Sequence, residues 1–387
     1  MTSAAAFLVG FCGLALLVHV ATATWVGVRL RRAKGNEAAP GDWPAVSLIR
    51  PVAGLDAIEQ RTLESTFQLE ARNAEIIFCV ASPSDPVLPF LRLLLSRYPQ
   101  RNARILVGND LGSANPKLNN IVKGWAAATS DWIIIADSNV LLPPDYVARV
   151  LGTWTDDVAL VCAPPIGDEP KGFWAEVECA FLNGYQGRWQ YAADALGFGF
   201  AQGKTMAWRR EDLDAWGGVS ALGSEVAEDA AATKLVRSKG KRVRLSAVPF
   251  VQPIGHRTAS QVLRRQERWA QLRRLSFPQF FVPEILTGAV VPLAAGVLGL
   301  SLIDAPLLLP IIGFICCWIG AEAAVCALAG WTLSWRSPVA WIVRDVCIPV
   351  IWMRAWLARG YEWRGNSISI DAARGASPDA AKAALQA

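Results

Sequence analysis

The run Trp132-Ile133-Ile134-Ile135-Ala136-Asp137-Ser138-Asn139-Val140-Leu141-Leu142-Pro143-Pro144 decides how this chain folds. Its first five residues are apolar, mostly β-branched and followed at once by polar turn residues, the pattern of a fully buried parallel strand. Asp137 then emerges at the strand's carboxyl end, the edge at which open α/β sheets bind ligands. A carboxylate, a hydroxyl and an amide within three residues offer oxygen ligands for a hard divalent cation shared with a diphosphate. An Asp at a strand end serves equally well as a helix cap or turn residue, so the stretch alone leaves both readings open.

Outward from this strand, residues 45 to about 255 alternate between two patterns. Residues 45–49, 75–81, 103–107, 132–136 and 158–163 read as strands, with helical stretches near 56–69, 87–97, 116–129 and 144–152 between them. Strands alternating with helices of this length imply βαβ units, hence a Rossmann-like, doubly wound and mostly parallel α/β sheet. Neither a Gly-x-Gly-x-x-Gly fingerprint nor a Walker loop occurs, so a dinucleotide-dependent dehydrogenase or a P-loop NTPase has no motif here.

The flanks have a different composition. With 53% hydrophobic residues, 17 Trp and a mean hydropathy of +0.28, the 387-residue chain is too apolar for an ordinary soluble enzyme. Residues 4–28 carry no Asp, Glu, Lys or Arg, a stretch that exceeds the roughly 20 residues a helix needs to span a bilayer. A cleaved signal peptide competes, because Ala21, Thr22 and Ala23 offer small residues for cleavage. The absence of a charged region before the apolar run favours an uncleaved anchor. Arg29, Arg31, Arg32 and Lys34 follow it and hold the next domain in the cytoplasm by the positive-inside rule. A polar linker covers 35–44. Beyond Gly255, residues 258–277 set Val262, Leu263, Trp269, Leu272 and Phe277 among Arg264, Arg265, Arg268, Arg273 and Arg274, an amphipathic basic helix of the kind that lies at a membrane surface. Residues 285–303 are uncharged and long enough to cross; 305–335 are apolar but for Glu322, and 338–358 but for Arg344, Asp345 and Arg354. Ionisable residues at that depth mark either a polar cavity or an ion pair at a bundle interface. The expected division is an anchor at 1–34, an α/β domain at 45–256, an interfacial helix at 257–282, membrane helices at 283–360 and a polar tail at 361–387.

The net charge of +5 comes without a Lys/Arg tract, which argues against a nucleic-acid partner. Eight scattered Cys, with no Cys-x-x-Cys and only two His, suit neither a zinc site nor a disulfide framework. They read as small buried hydrophobes.

Three acids stand at the ends of expected elements. Asp85 follows the second strand, Asp137 the fourth, and Asp229 opens a helix running to about Ser238. Each has a plainer reading: an Asx turn for Asp85, a complement to a helix dipole for Glu228 and Asp229. Further on, Arg265, Arg268 and Trp269 have helical spacings of three and four, which put two guanidinium groups and an indole on one face. Such a face holds a leaving diphosphate, or alternatively lipid headgroups. The aromatics Trp174, Phe181, Tyr185, Trp189 and Tyr191 line a lipid-entry side or, more ordinarily, a domain core.

On these residues the chain resembles the membrane-bound glycosyltransferases of the GT-A fold and, among them, the ceramide glucosyltransferases. The signature there is three spaced Asp followed by Arg/Gln-x-x-Arg-Trp, matched by Asp85, Asp137, Asp229 and the set Arg265, Arg268, Trp269. Val46 to Pro51 with Gly54 and Asp56, Asn115 to Asn120, and Ala227 to Asp229 are also similar; Trp363 with Arg364 is a fainter echo. The resemblance implies a GT-A α/β domain on the cytoplasmic face of a bacterial cell membrane, carried by an N-terminal transmembrane helix and a C-terminal helical membrane domain. It implies that Asp85 contacts the uracil or ribose of a UDP-sugar, and that Asp137 holds Mg2+ or Mn2+ on the diphosphate. Asp229 is then the general base that deprotonates the primary hydroxyl of a lipid acceptor, ceramide before others, with inversion at the sugar carbon. Asn139 departs from a full Asp-x-Asp and offers the metal only a neutral second ligand. Lys117 is a candidate phosphate contact or a plain surface lysine. The acceptor alternatives are a hopanoid, a diacylglycerol and a polyprenyl phosphate, and the donor alternatives carry galactose, glucuronate or N-acetylglucosamine. A processive polysaccharide synthase is disfavoured by Arg at 265, and a catalytically inactive membrane scaffold by retention of the whole acid and Arg-Trp set.

Overall fold

The structure is a computed structural model that describes residues 2–34, 43–108, 113, 115–358, 360–363 and 366–369. Most of the linker expected at 35–44, Arg364, and the tail from 370 lie outside the described residues, as do all side chains from 361 onward. In chain order the strands are β1 (Val46–Val52), β2 (Glu75–Val80), β3 (Ala103–Val107), β4 (Trp132–Ala136), β5 (Val158–Cys162), β6 (Pro165–Lys171), β7 (Thr205–Arg209), β8 (Arg242–Leu245) and β9 (Phe250–His256). The helices are α1 (Thr2–Lys34), α2 (Ala57–Glu64), α3 (Val87–Arg97), α4 (Pro116–Ala127), α5 (Tyr146–Leu151), α6 (Phe173–Ala180), α7 (Arg188–Ala195), α8 (Arg210–Ala215), α9 (Glu228–Ser238), α10 (Ala259–Ser276), α11 (Pro278–Phe281), α12 (Val290–Ser301), α13 (Leu308–Ala329) and α14 (Ser337–Leu357). The chain divides into two compact units: a sheet unit of residues 36–165, 193–253 and 362–387, and a helical unit of residues 1–35, 166–192 and 254–361.

In the sheet unit the expected strands all form, and a seven-stranded sheet is ordered β3-β2-β1-β4-β7-β5-β8. β1 pairs in parallel with β2 and β4, β2 with β3, and β5 with β8. The sheet is mostly parallel, as the alternation predicts, with one strand running the other way. β7 lies antiparallel between β4 and β5, with Trp132 opposite Arg209 and Ala136 opposite Thr205. The chain leaves the sheet after β5 for the segment 166–192, which belongs to the helical unit, and returns from it to enter β7. β7 therefore does not follow the sheet through a βαβ crossover, the connection that forces parallel pairing. Every residue of β1 and β2 is buried, as strands covered on both faces require. Two of the helices that follow the sheet's strands begin on side-chain caps. Asp56 and Glu59 form a capping box on α2, and Asn115 accepts the Lys117 and Leu118 amides ahead of Pro116 on α4. Gly124 lets α4 approach the sheet, since a Cβ there would stand 2.6 Å from Cys79 Sγ and 2.9 Å from Ile49. Burial pushes the Cys79 thiol up to about 11, so it acts as the small apolar group expected.

In the helical unit, α1 and α13 are long and apolar enough to cross a membrane. The expected crossing at 285–303 is broken: α12 has 12 residues, about 18 Å of helix against a hydrocarbon core of about 30 Å. It reaches spanning length only together with Pro278–Leu286, from which it is bent by 52°. The break is held by Asp345, whose Oδ2 accepts the Ala289 amide at 3.2 Å. Asp345 also accepts the Trp318 indole N–H at 2.9 Å and pairs with Arg344 at 2.9 Å, while Arg344 reaches Glu322 at 2.9 Å. All three ionisable residues are buried, so they form an ion network inside the bundle, the second of the two readings open in the sequence. The segment 173–195 has a π-helical stretch at Phe181–Gly187 between α6 and α7, and Phe181, Tyr185 and Tyr191 are buried, as core aromatics are.

Candidate active site

Gly54, Asp85 and Asp137 follow the carboxyl ends of β1, β2 and β4, adjacent parallel strands of the sheet. Asp85 is fixed by backbone: the Gly54 amide donates to both its carboxylate oxygens, at 3.1 and 3.0 Å, and the Val87 amide to Oδ1 at 2.9 Å. Gly54 has φ +75°, a conformation glycine adopts without strain. Asp137 is gripped by two ammonium groups, Lys117 Nζ on Oδ1 at 2.6 Å and Lys204 Nζ on Oδ2 at 2.8 Å. Burial by itself would raise the carboxyl's pKa; the two lysines outweigh it and hold Asp137 well below the usual carboxylate range.

Lys117 carries more than the surface role open to it in the sequence. Its ammonium also meets Glu228 Oε1 at 2.7 Å and the Gly203 carbonyl at 2.5 Å. Burial would lower its pKa, but Asp137 and Glu228 more than offset that and raise it. Glu228 in turn accepts the Asn115 side-chain amide at 2.7 Å. Next to it, Asp229 takes the Gly203 amide on Oδ2 at 3.1 Å and the Ala230 amide on Oδ1 at 2.8 Å. Burial, reinforced by the Glu228 charge, lifts Asp229 to about 6.

Two adjacent residues join these acids. Gly203 binds Asp229 through its amide and Lys117 through its carbonyl, and Lys204 binds Asp137 through its ammonium and, through its carbonyl, the Asp137 amide at 3.1 Å. A Cβ at 203 would stand 2.7 Å from Glu228 Oε1 and 2.9 Å from Lys117 Nζ, so a side chain there would push both charged ends out of place. Behind Asp137, the fully buried Arg50 donates to the carbonyls of Asp137, Ser138 and Val140 at 2.9, 3.0 and 3.1 Å, and to Thr66 Oγ1 at 3.0 Å. Burial lowers its pKa to about 10. Arg50 thus sets the backbone course of the loop that carries Asp137 and Asn139.

The donor set suits a hard cation. Asp137 Oδ2 and Asn139 Oδ1 already converge on one positive group, the Lys204 ammonium, at 2.8 and 3.1 Å. Among the described residues no three His, Cys, Asp or Glu side chains cluster as a metal cage. A divalent ion here would take the rest of its shell from phosphate and water, as Mg2+ does in nucleotide sites.

The other expected residues belong to the helical unit. Arg265, Arg268 and Trp269 lie on α10, which Thr258 and Gln261 cap as a box. Arg265 pairs with the buried Glu178 at 2.9 Å and stacks over the Trp269 ring at 4.6 Å from its centroid. Two further cations of the basic helix have partners within the unit. Arg273 pairs with Glu284 at 2.6 Å, and the buried Arg274 donates to the Trp356 carbonyl at 2.9 Å. The sequence reading passed over Arg50 and Lys204 and gave Glu228 only a helix-dipole role. Arg50 had left a signal, a charged residue inside an otherwise apolar strand, whereas nothing around Lys204 distinguishes it from a surface lysine.

A mostly parallel sheet with acids gathered beyond its strand ends, joined to apolar helices, is the GT-A architecture of a membrane glycosyltransferase. The chain belongs to glycosyl transferase family 21, whose profile matches residues 6–376. It is similar to ceramide glucosyltransferase 3 of Caenorhabditis elegans, with 26% identity over 364 residues, 90% of this chain and 77% of that one. Ceramide glucosyltransferase 1 of the same organism is 26% identical over 334 residues, 84% and 72% of the two chains. Among solved structures, a mannosyltransferase from Pyrobaculum calidifontis in complex with GDP-Man and Mn2+ aligns over 88% of this chain and 99% of its own, with 17% identity and a TM-score of 0.47.

Proposed function

We propose that this glycosyltransferase moves glucose from UDP-glucose to the primary hydroxyl of ceramide, in one inverting displacement at the cytoplasmic face of the membrane it is anchored in. The ceramide glucosyltransferases to which it is similar over most of its length motivate the donor and the acceptor. The observation that carries the chemistry is the Gly203–Lys204 bridge, which ties Asp229 and Asp137 to adjacent residues.

Asp229 is the general base. A carboxylate lifted to about 6 is ionised at neutral pH yet basic enough to draw a proton from an attacking alcohol. As the acceptor oxygen bonds to the anomeric carbon, its proton passes to Asp229, and the electron pair of the breaking C–O bond leaves with UDP from the opposite face. Asp137 and Asn139 hold Mg2+ or Mn2+, which when bound supplies positive charge to the diphosphate. Lys117 adds a fixed cation at the same place, and Asp85 orients the nucleoside. Arg265, Arg268 and Trp269 take the role of holding the leaving diphosphate, on the strength of their motif alone.

The test is a transfer assay on detergent-purified protein in which UDP-glucose, UDP-galactose, UDP-glucuronate and UDP-N-acetylglucosamine compete for ceramide, diacylglycerol and a hopanoid polyol. Glucosylceramide as the dominant product, lost on adding EDTA and restored by Mg2+ or Mn2+, is the expected result. Preference for another lipid or sugar would keep the chemistry and overturn the substrate assignment.

A further inference from the structure

We propose that Lys204 is the resident cation of the Asp137–Asn139 pair, exchanged for a divalent metal ion when a nucleoside diphosphate arrives, and that its ammonium then moves onto the diphosphate. This inference rests on the metal reading above and assigns Lys204 as a positioning residue for donor binding.

The geometry gives each lysine a different task. Lys117 is wedged between Asp137, Glu228 and the Gly203 carbonyl, contacts that span three separate segments and fix its ammonium in place. Lys204 instead has its main chain fixed, through its carbonyl's bond to the Asp137 amide, while its ammonium sits at the end of a four-carbon stem on Asp137 Oδ2 and Asn139 Oδ1. Those two oxygens are the ligands a hard cation would use. An ammonium and a divalent ion cannot share them at such distances, because like charges this close repel strongly even in a well-screened site. One must leave when the other enters. A lysine stem can swing by changing side-chain rotamers while the strand that starts at Thr205 stays paired. The diphosphate that accompanies the metal gives the displaced ammonium a new anionic partner. The exchange keeps Asp137 neutralised between turnovers and couples metal entry to donor entry, so that neither binds tightly alone.

The test uses full-length protein in detergent and two ligands, Mn2+ alone and UDP at saturating Mn2+. In Lys204→Met, Mn2+ alone should bind about tenfold tighter, because its competitor is gone, while UDP at saturating Mn2+ should bind about tenfold weaker, because the ammonium no longer reaches the diphosphate. Lys204→Arg should restore both values towards wild type. Lys204→Gln, which keeps an amide donor for Asp137, repeats the measurement if the Met variant does not fold. Unchanged or weaker Mn2+ binding in the charge-removing variants overturns the exchange, as does tighter binding of both ligands, which a lysine fixed in place would give. Asp137→Asn should abolish Mn2+ binding in either background. Survival of Mn2+ binding there would sink the metal assignment itself, with no bearing on whether ceramide is the acceptor.

Discussion

Replacing Asp229 with Asn should separate catalysis from stability, because the same burial that makes this carboxylate a competent base also makes it costly. Holding an ionised group whose pKa has moved from 3.8 to about 6 opposes folding by something of the order of 2–3 kcal/mol at neutral pH. The folded-state value lies above the unfolded one. The penalty is therefore absent below about pH 4, grows as pH rises through that window and is complete above about 6. Asn keeps the size and one acceptor atom but turns an N–H2 towards either the Gly203 or the Ala230 amide, which returns about 1 kcal/mol. The net expectation is a gain of about 1–2 kcal/mol at neutral pH, or a rise in Tm of roughly 1–3 °C. The gain should fade as the pH falls below about 6. Transfer should vanish in the same variant, and in the wild type the rate should drop about tenfold per pH unit below about 6 as the base becomes protonated. A thermal-shift series on detergent-purified protein across pH 4.5–8, with the transfer assay alongside, measures both. An Asp229→Asn variant that is less stable than wild type at neutral pH, or one that still turns over, would refute the reasoning.

Arg50→Met should cost about 3–5 kcal/mol, since it leaves the carbonyls of Asp137, Ser138 and Val140 buried without their donor, and it should loosen UDP binding in whatever folded protein remains; melting and UDP titration read the two effects. Gly203→Ala should lower transfer at least about tenfold with little change in Tm, because the new methyl displaces the Glu228 carboxylate and the Lys117 ammonium rather than core packing. Arg344→Met should destabilise the helical unit by about 3–5 kcal/mol by leaving Glu322 and Asp345 without their shared cation, a loss that Glu322→Gln in the same chain should partly reverse.

How far the sequence reveals this molecule depends on which interactions are local. The strands at 46–52, 75–80, 103–107, 132–136 and 158–162 were legible because β-branched runs between polar turns encode burial residue by residue. β7 was missed. Its five residues carry no distinctive period, and its antiparallel place between β4 and β5 is decided by the excursion through 166–192. Asp85, Asp137 and Asp229 were legible as acids at element ends, but what tunes them is long-range. Glu228 lies 111 residues from Lys117 in the chain, and the ammonium on Asp137 Oδ2 comes from Lys204. Nothing near either residue in sequence announces the partner. The partners of Arg273 and Arg274 on the basic helix, Glu284 and the Trp356 carbonyl, are likewise not announced by the pattern of that helix.

The most direct test of the central claim is the anomeric configuration of the lipid product formed from UDP-α-glucose and ceramide by the wild-type enzyme, read from the proton NMR coupling of the sugar's anomeric hydrogen. A β-glucoside is predicted, as one displacement assisted by Asp229 requires. An α-glucoside, or no glucosylated lipid from folded protein that binds UDP, would contradict it.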